Sequence, residues 1–511
     1  MSRYGNHTIY LCAVNHLKFY DMMINQNGTI GKPVTAATNQ KQMTLTFHDT
    51  DDDAMGGLKM QIAGEGEMTI DWGDGTSEIF LLSAYEDGDW FGSYSFWEKN
   101  EDIILKFGYR HDYPHGSICT ITITSENITH FCCKRNQLRD LDVSTNNVLI
   151  ELDCSDNNRL QKLDVSNNTE LIKLDCSFIF SSVLDVTNNT KLTKLDCSYC
   201  CLMDLDVSNN TALTELNCSD NYLTTLAVTK HKALKKLFCQ QNELTDLDLS
   251  KNTELSVLNC FKNKLTSLDV SKNTALTRLD CEKNQLTTLD ISANLALTVL
   301  LCSYNTLTTL NLGNNSALTV LCCRGNRLTS LNISSSTALY QLDCGNNCLT
   351  NLDVTRNTGL THLCCGFNKV TDLDVSKNTA LIYLHCGFNK ITELDVRKNI
   401  ALKSLCCSYN QLTNLDVSNN TVLEDLYCPS NPLTNLDVSK NKALVRFSCR
   451  ENQLTELNLK RNTELEYLMC ARNQLTNLDI SKNTALTEFV FTGNPISYLN
   501  VNQNTENECP F

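Results

Sequence analysis

From about residue 128 onward, apolar residues recur with a period of 21. Neither the 3.6-residue rhythm of a helix nor the simple alternation of one long strand gives that spacing. A clean copy spans Leu276–Ala296, and the aligned copies read L-T-x-L-x-C-x-x-N-x-L-T-x-L-D-V-S-x-N-T-A. Side chains of a strand alternate, so in L-x-C the Leu and Cys face inward and the residue between them faces outward. The Asn that follows turns the chain, its amide bonding backbone groups that the bend would leave unpaired. No single coil can bury its own Leu face, so successive coils must stack into a continuous core.

The inward cysteines include Cys218, Cys239, Cys260, Cys281 and Cys302, and the turning asparagines include Asn221, Asn242, Asn263 and Asn284. One step is longer, with 22 residues from Cys154 to Cys176. In-register parallel strands lie about 4.8 Å apart. A disulfide needs Cβ atoms about 3.8 Å apart and a near-perpendicular dihedral, so the column reads as reduced thiols packed like small hydrophobes. In the returning half, L-D-V-S-x-N-T-A, the recurrent Asp and Ser read as turn caps rather than as a calcium ladder, because Gly-rich turns are missing. Ile179 and Cys200 replace the turning Asn in two adjacent coils, which predicts a local irregularity.

Composition changes near residue 128. Trp72, Trp90 and Trp97, and 13 of the 20 glycines, lie before residue 130. Residues 1–42 show little periodicity and read as a loosely ordered leader. Short runs with strand character follow at Met43–Phe47, Leu58–Ala63, Met68–Trp72, Glu78–Leu82, Asp102–Tyr109 and Ile118–Thr124. Asp71-Trp72-Gly73-Asp74-Gly75-Thr76 predicts a tight hairpin. The expected organisation is a leader (1–42), a small all-β, sandwich-like antiparallel domain (43–126) and a solenoid of about 18 rungs (127–511). Asp49, Asp51, Asp52 and Asp53 lack the Gly and Glu spacing of a calcium loop and read as a solvated turn.

A net charge of −15 argues against nucleic acid and anionic membranes as partners. With 41% hydrophobic and 20% charged residues the chain is not a disordered one. No run reaches the roughly 20 apolar residues of a membrane span, so direct insertion is not expected. The N-terminal segment holds only one short apolar stretch, Ile9 to Val14, and reads as lacking a signal peptide. Taken literally that start predicts a cytoplasmic protein. The array stops where another rung would begin, which reads as a truncated end.

The repeats with LDVSxNTALTxLxC, seen at Leu268–Cys281 and Leu415–Cys428, resemble the cysteine-ladder leucine-rich repeats of internalin-J-like bacterial surface proteins. TIDWGDGT followed by TITSENITHFCC resembles the β-rich module that precedes such repeats in proteins of gut bacteria. The resemblance covers about residues 43–505. It implies a leucine-rich-repeat solenoid with a parallel β-sheet on its concave face, extracellular or cell-surface display, and a binding or adhesion role. A protein or glycan on a host cell is the implied partner, with no cofactor and no enzymatic activity.

In that architecture the outward strand residues form the binding face. Exposed aromatic and soft apolar side chains there are what protein interfaces use, and the residues singled out are Phe238, Phe261, Leu301, Tyr383, His385, Tyr427, Tyr467 and Met469. Cys364, His385 and Cys406 fall on consecutive rungs of one outward column, with His362 two residues before Cys364. Thiolate and imidazole are zinc ligands, so these four residues are speculative metal candidates. Exposed surface thiols are the default, and a nucleophilic pair of Cys364 with His385 is a third arrangement. Two other functions stay open: a self-associating surface scaffold, and the substrate-receptor part of an enzyme whose catalytic domain is absent.

Overall fold

A computed structural model describes residues 40–48, 58–82, 108–111 and 118–501, and the chain divides into one unit ending at Leu223 and a second beginning at Thr224. The expected leader apart from its last residues, the Asp49–Asp53 cluster, Trp90, Trp97, Cys12, Cys509 and most of the strand expected at 102–109 lie outside the described residues.

In the first unit β1 (Lys41–His48) runs antiparallel to β5 (Ile118–Cys132). β2 (Leu58–Asp71) pairs antiparallel with β5, with β3 (Ser77–Leu82) and with β4 (Gly108–His111). The two runs expected at 58–63 and 68–72 are thus one strand, whose register shifts at Gly64. A Cβ there would lie 2.0 Å from the Asn127 carbonyl oxygen, so the close strand approach requires glycine. In the hairpin, Asp71 Oδ1 accepts the Gly73 N–H and Asp74 Oδ1 accepts the Thr76 N–H, at 3.0 and 2.9 Å. The last residues of β5, His130–Cys132, pair in parallel with β7 (Glu151–Asp153), so one strand belongs to both the antiparallel and the parallel arrangement. β6 (Leu138–Asp142) packs antiparallel on β1. From β7 the parallel ladder continues through β8 (Lys173–Asp175), β9 (Lys194–Asp196) and β10 (Glu215–Asn217).

The second unit is a stack of three-residue strands in unbroken parallel register from Lys236–Phe238 to Glu488–Val490. Two short parallel pairs lie on the returning limb, Thr288–Asp290 with Thr309–Asn311 and Asn477–Asp479 with Tyr498–Asn500. A typical rung buries six apolar side chains; in one they are Leu258, Cys260, Leu265, Leu268, Val270 and Leu276, none more than 8% exposed. At about 1.5–3 kcal/mol for each fully buried aliphatic side chain, stacking of rungs is the main stabilising term. Among the described residues no helix is long and apolar enough to cross a membrane.

Cysteine suits its inward column for two reasons. It is small enough for identical side chains to repeat at strand spacing, and its S–H is a weak donor. Cys260 Sγ lies 3.4 Å from the Asp280 carbonyl oxygen of the next rung, and Cys428 Sγ lies 3.5 Å from that of Ser448. Cys260, Cys281, Cys302 and Cys323 are fully buried and unbridged.

Two asparagine ladders close the turns. The first follows the strand: Asn389 donates to the carbonyls of Cys365 and Cys386 at 3.1 and 3.0 Å and accepts the Val370 N–H at 3.0 Å. The second lies in S-x-N on the returning limb and is fully buried. There Asn378 donates to Val354 O and Asn357 O, at 3.0 and 2.9 Å. Where Cys200 replaces the first-ladder Asn, its thiol takes over the donor role, 3.0 Å from Cys176 O and 3.4 Å from Ser198 O. The returning Asp caps its own turn: Asp353 Oδ1 accepts the Thr355 N–H at 2.9 Å and its hydroxyl at 2.6 Å. Those two bonds hold its carboxyl below the usual range.

Candidate functional site: the outward face of the short strands

The strands His362–Cys364, Tyr383–His385, Ser404–Cys406, Asp425–Tyr427, Arg446–Ser448 and Tyr467–Met469 are consecutive partners. Because register is preserved, one outward column reads His362, Tyr383, Ser404, Asp425, Arg446 and Tyr467. The second reads Cys364, His385, Cys406, Tyr427, Ser448 and Met469. Tyr383, His385, Tyr427, Tyr467 and Met469 are all half-buried, so each shows part of its surface to solvent. Phe238, Phe261 and Leu301 are also half-buried but belong to rungs at least four before His385, and they form no cluster with it. The Lys283 ammonium sits 5.1 Å above the Phe261 ring, a cation–π contact that occupies that face.

A third column flanks the first two. The residue two places after each ladder cysteine has a positive φ, including Phe367 and Phe388 at 58° and Tyr409 at 53°. For a residue other than glycine this conformation costs about 1 kcal/mol or more. The strand-like hydrogen bond to the next rung offsets it: Phe367 N–H donates to Gly387 O at 2.9 Å and Phe388 N–H to Ser408 O at 2.7 Å. The turn points these side chains outward in a pile. Phe367 and Phe388 stack at 4.1 Å between centroids, Phe388 and Tyr409 at 4.2 Å, and Phe367 lies parallel to His385 at 6.3 Å. These three rings are about 40% exposed, which leaves a rigid aromatic edge beside the strand columns.

Neighbouring polar contacts fix the rest. Arg446 forms a fork with Asp425, with Nε 2.7 Å from Oδ1 and Nη2 2.8 Å from Oδ2. The Tyr467 hydroxyl lies 2.7 Å from Met469 Sδ, and the Thr361 hydroxyl lies 2.9 Å from His362 Nδ1. His362 stacks on Tyr383 at 6.2 Å, which turns it toward the tyrosine. Burial raises the Tyr383, Tyr427 and Tyr467 phenols, so all three stay neutral at physiological pH.

The four speculative zinc candidates do not converge: among the described residues no group of three or more His, Cys, Asp or Glu side chains could hold a metal ion. His385 lies between Cys364 and Cys406, its register partners on the two adjacent strands. Ser408 Oγ stands 3.4 Å from Cys406 Sγ. Cys364, lacking such partners, is pushed up to about 11 by burial and by Asp343.

Two features escaped the sequence reading. The second asparagine ladder was visible as the recurrent N of S-x-N, replaced only by His231 and Ser336 among the described rungs, but was given no role. The left-handed turn position was masked by its occupants, since Phe and Tyr do not advertise positive φ as Gly325 and Gly493 do at the same place.

No protein-family model matches the chain, and no curated protein matches it. Among solved structures it is similar to the functional domain of InlJ from Listeria monocytogenes, which includes a cysteine ladder. That likeness is 39% identical, covers 59% of this chain and 67% of that one, and has a TM-score of 0.58. A leucine-rich-repeat protein of Leptospira interrogans is 26% identical over 68% of this chain and 91% of that one, at a TM-score of 0.55. YopM from Yersinia enterocolitica, 22% identical over 70% and 76% with a TM-score of 0.58, shares the fold.

Proposed function

The chain belongs to the cysteine-ladder leucine-rich-repeat proteins, the group of InlJ, and on that premise we propose that it is a non-enzymatic binding module displayed at a bacterial cell surface. Its ligand is a protein, docked on the outward strand columns of the second unit, the concave face of such a solenoid. Adhesion to a host cell is the role this reading gives it. A single observation carries the choice of face: Tyr383, Tyr427 and Tyr467 stand on in-register strands beside the stacked Phe367, Phe388 and Tyr409. Aromatic side chains already fixed in place lose little entropy when a partner covers them, and tyrosines of this kind form the energetic centres of interfaces. The ladders beneath hold the strands, so the surface is preformed.

The test is binding of the purified chain to host-cell surfaces, compared with a variant carrying Tyr383→Ala, Tyr427→Ala and Tyr467→Ala. These side chains point away from the core, so folding is expected to survive. Loss of about 2 kcal/mol per anchor is typical of interface centres, so the triple variant should bind at least about 100-fold more weakly. Equal affinity would move the interface off this face. Pretreating the cells with protease should abolish binding; loss on glycosidase treatment alone would make the ligand a glycan.

A further inference from the structure

We propose that the first unit carries a self-association surface, an apolar patch on the turns that follow β8, β9 and β10, through which one copy of the chain docks on a second by a two-fold contact. The patch lies outside the outward strand columns of the second unit, so the proposal stands apart from the ligand-binding reading. It starts from the two coils in which Ile179 and Cys200 replace the turning asparagine. Both replacements are buried. Around them the surface departs from the repeat.

In these coils, positions that are polar elsewhere in the array hold apolar side chains. Phe180 and Tyr222 stand where Glu243 and Lys264 stand further on, Val183 where Asp246 and Ser267 stand, and Met203 where Thr224 and Thr245 stand. Phe180, Val183, Met203 and Tyr222 are each more than half exposed. Beside them the Phe178 and Tyr199 rings are stacked, with centroids 4.2 Å apart. Ser181 takes the place of a core Leu, and its hydroxyl donates to Val183 O at 2.7 Å, which fixes the turn carrying Phe180 and Val183. Single apolar side chains on a surface need no explanation. A contiguous group on three consecutive coils, partly fixed in advance, is what marks an interaction site.

Charge decides what covers the patch. One column of the returning limb reads Lys162, Val183 and Asp204 on successive coils, all three exposed. The coils are in register there, because Asn189 donates to Val165 O and Asn210 to Val186 O, at 2.9 and 2.8 Å. Lys162 and Asp204 therefore lie one rung to either side of Val183. A two-fold axis through Val183 brings Lys162 of each copy against Asp204 of the other, while Phe180 and Met203 pack around the axis. Arg139 and Arg159, which line an open pocket with Asn158 and Gln161, extend the basic side.

Opposite charges set symmetrically about an apolar centre are self-complementary, which a foreign partner would not require. An anionic lipid surface fits less well, since Asp204 and the net charge of −15 would oppose it. An isologous contact uses the same patch on both copies and closes at two, so the expected assembly is a dimer rather than a filament. A dimer presents every other surface twice, which strengthens attachment to any surface that displays many ligands.

The experiment follows sedimentation of the full chain across a concentration series, with reductant present so that thiols form no bridges between copies. A monomer–dimer equilibrium is expected. Val183→Ser combined with Met203→Thr should raise its dissociation constant at least about tenfold, as loss of central interface side chains does. Lys162→Glu and Asp204→Lys each put two like-charge pairs into the contact and should each weaken it at least about tenfold. The double variant exchanges the signs and should return to within about threefold of the wild-type constant. Thermal melts check that each variant is folded, and Tyr222→Ser supplies another apolar substitution should the first pair destabilise the chain. A wild-type chain that stays monomeric up to about 0.1 mM would overturn the proposal and leave the patch to a foreign partner. If that monomer instead floated with phosphatidylglycerol vesicles, and the Val183 and Met203 changes abolished this, the patch would belong to a lipid surface. A dimer unmoved by the folded apolar variants, or a double variant no tighter than its parents, would overturn the two-fold contact as well.

Discussion

Asp175 in the first unit and His385 in the second occupy the same place in the repeat, directly before a buried ladder cysteine, yet their side chains are spent differently. Asp175 is tied down within its own turn: its Oδ1 accepts the Ser177 N–H at 3.0 Å and the Ser177 hydroxyl at 2.7 Å. Asp153 with Ser155 and Asp196 with Ser198 repeat the arrangement. In the second unit the serine position is glycine at Gly345, Gly366 and Gly387, so the turn offers only a backbone donor: Asp343 Oδ1 accepts the Gly345 N–H at 3.0 Å, whereas His385 Nδ1 is buried without a hydrogen-bond partner. The inward scaffold is the same in both units. What separates the two places is the outward group together with the residue after the cysteine: a carboxylate with serine two residues on is satisfied within its turn, and an imidazole with glycine there is not.

The largest effect should come from the part both regions share. Asn189→Ala and Asn378→Ala each delete two donors to buried carbonyls of the second asparagine ladder, Val165 O and Asn168 O for the first, Val354 O and Asn357 O for the second. Lost hydrogen bonds and stranded acceptors together predict about 2–4 kcal/mol for either variant in urea denaturation. Outward substitutions such as His385→Gln should cost far less. Comparable losses for inward and outward variants would erase the distinction between scaffold and surface.

A smaller effect tests the glycine directly. Gly366→Ser installs the residue of the first unit, and its Cβ falls at 2.3 Å from the His385 ring. Relieving that overlap predicts about 1–3 kcal/mol of destabilisation. A variant as stable as the wild type in urea denaturation would show that the ring moves aside without cost.

The inward columns were legible because alternation about a strand and a fixed 21-residue period leave no freedom: once one Leu is placed, every Cys follows. The outward columns were legible as lists for the same reason, and the structure sets Tyr383, Tyr427 and Tyr467 on every second strand, as their numbers require. Pairing within a column was not legible. His385 has a thiol on either side, Cys364 and Cys406, at equal strand spacing, so register alone cannot choose between them. How the ring lies between them depends on the room that Gly366 leaves beside it, a local packing fact. The aromatic pile of Phe367, Phe388 and Tyr409 shows the same limit, because its direction depends on a left-handed turn that the sequence disguises. In β2, an expected break became a bulge because Gly64 lets two strands touch where a side chain would force them apart.

The smallest effect is a difference of sign between two aspartates in opposite roles. Burial raises Asp175 well above its usual value, and Asp196 and Asp153 add to it. A carboxyl whose folded pKa lies above its unfolded one opposes folding while ionised and ceases to do so as pH falls through the folded value. Asp175→Asn should therefore raise the melting temperature at neutral pH and flatten the gain that wild type shows on mild acidification. Asp395, on the returning limb, is the reverse. Its side-chain bonds from Arg397, 2.9 Å to Oδ1 and 2.8 Å to Oδ2, and the Arg397 N–H bring it down to about 2. Its contribution is complete above the unfolded value near 3.9 and disappears as pH falls through about 2. The pair is half exposed, so solvent screening keeps its contribution small. Asp395→Asn should lower the melting temperature slightly at neutral pH and not at all near pH 2. Melting curves of both variants between pH 2 and 7 check this, and shifts of the same sign at neutral pH would show that the two aspartates are not held in opposite ways.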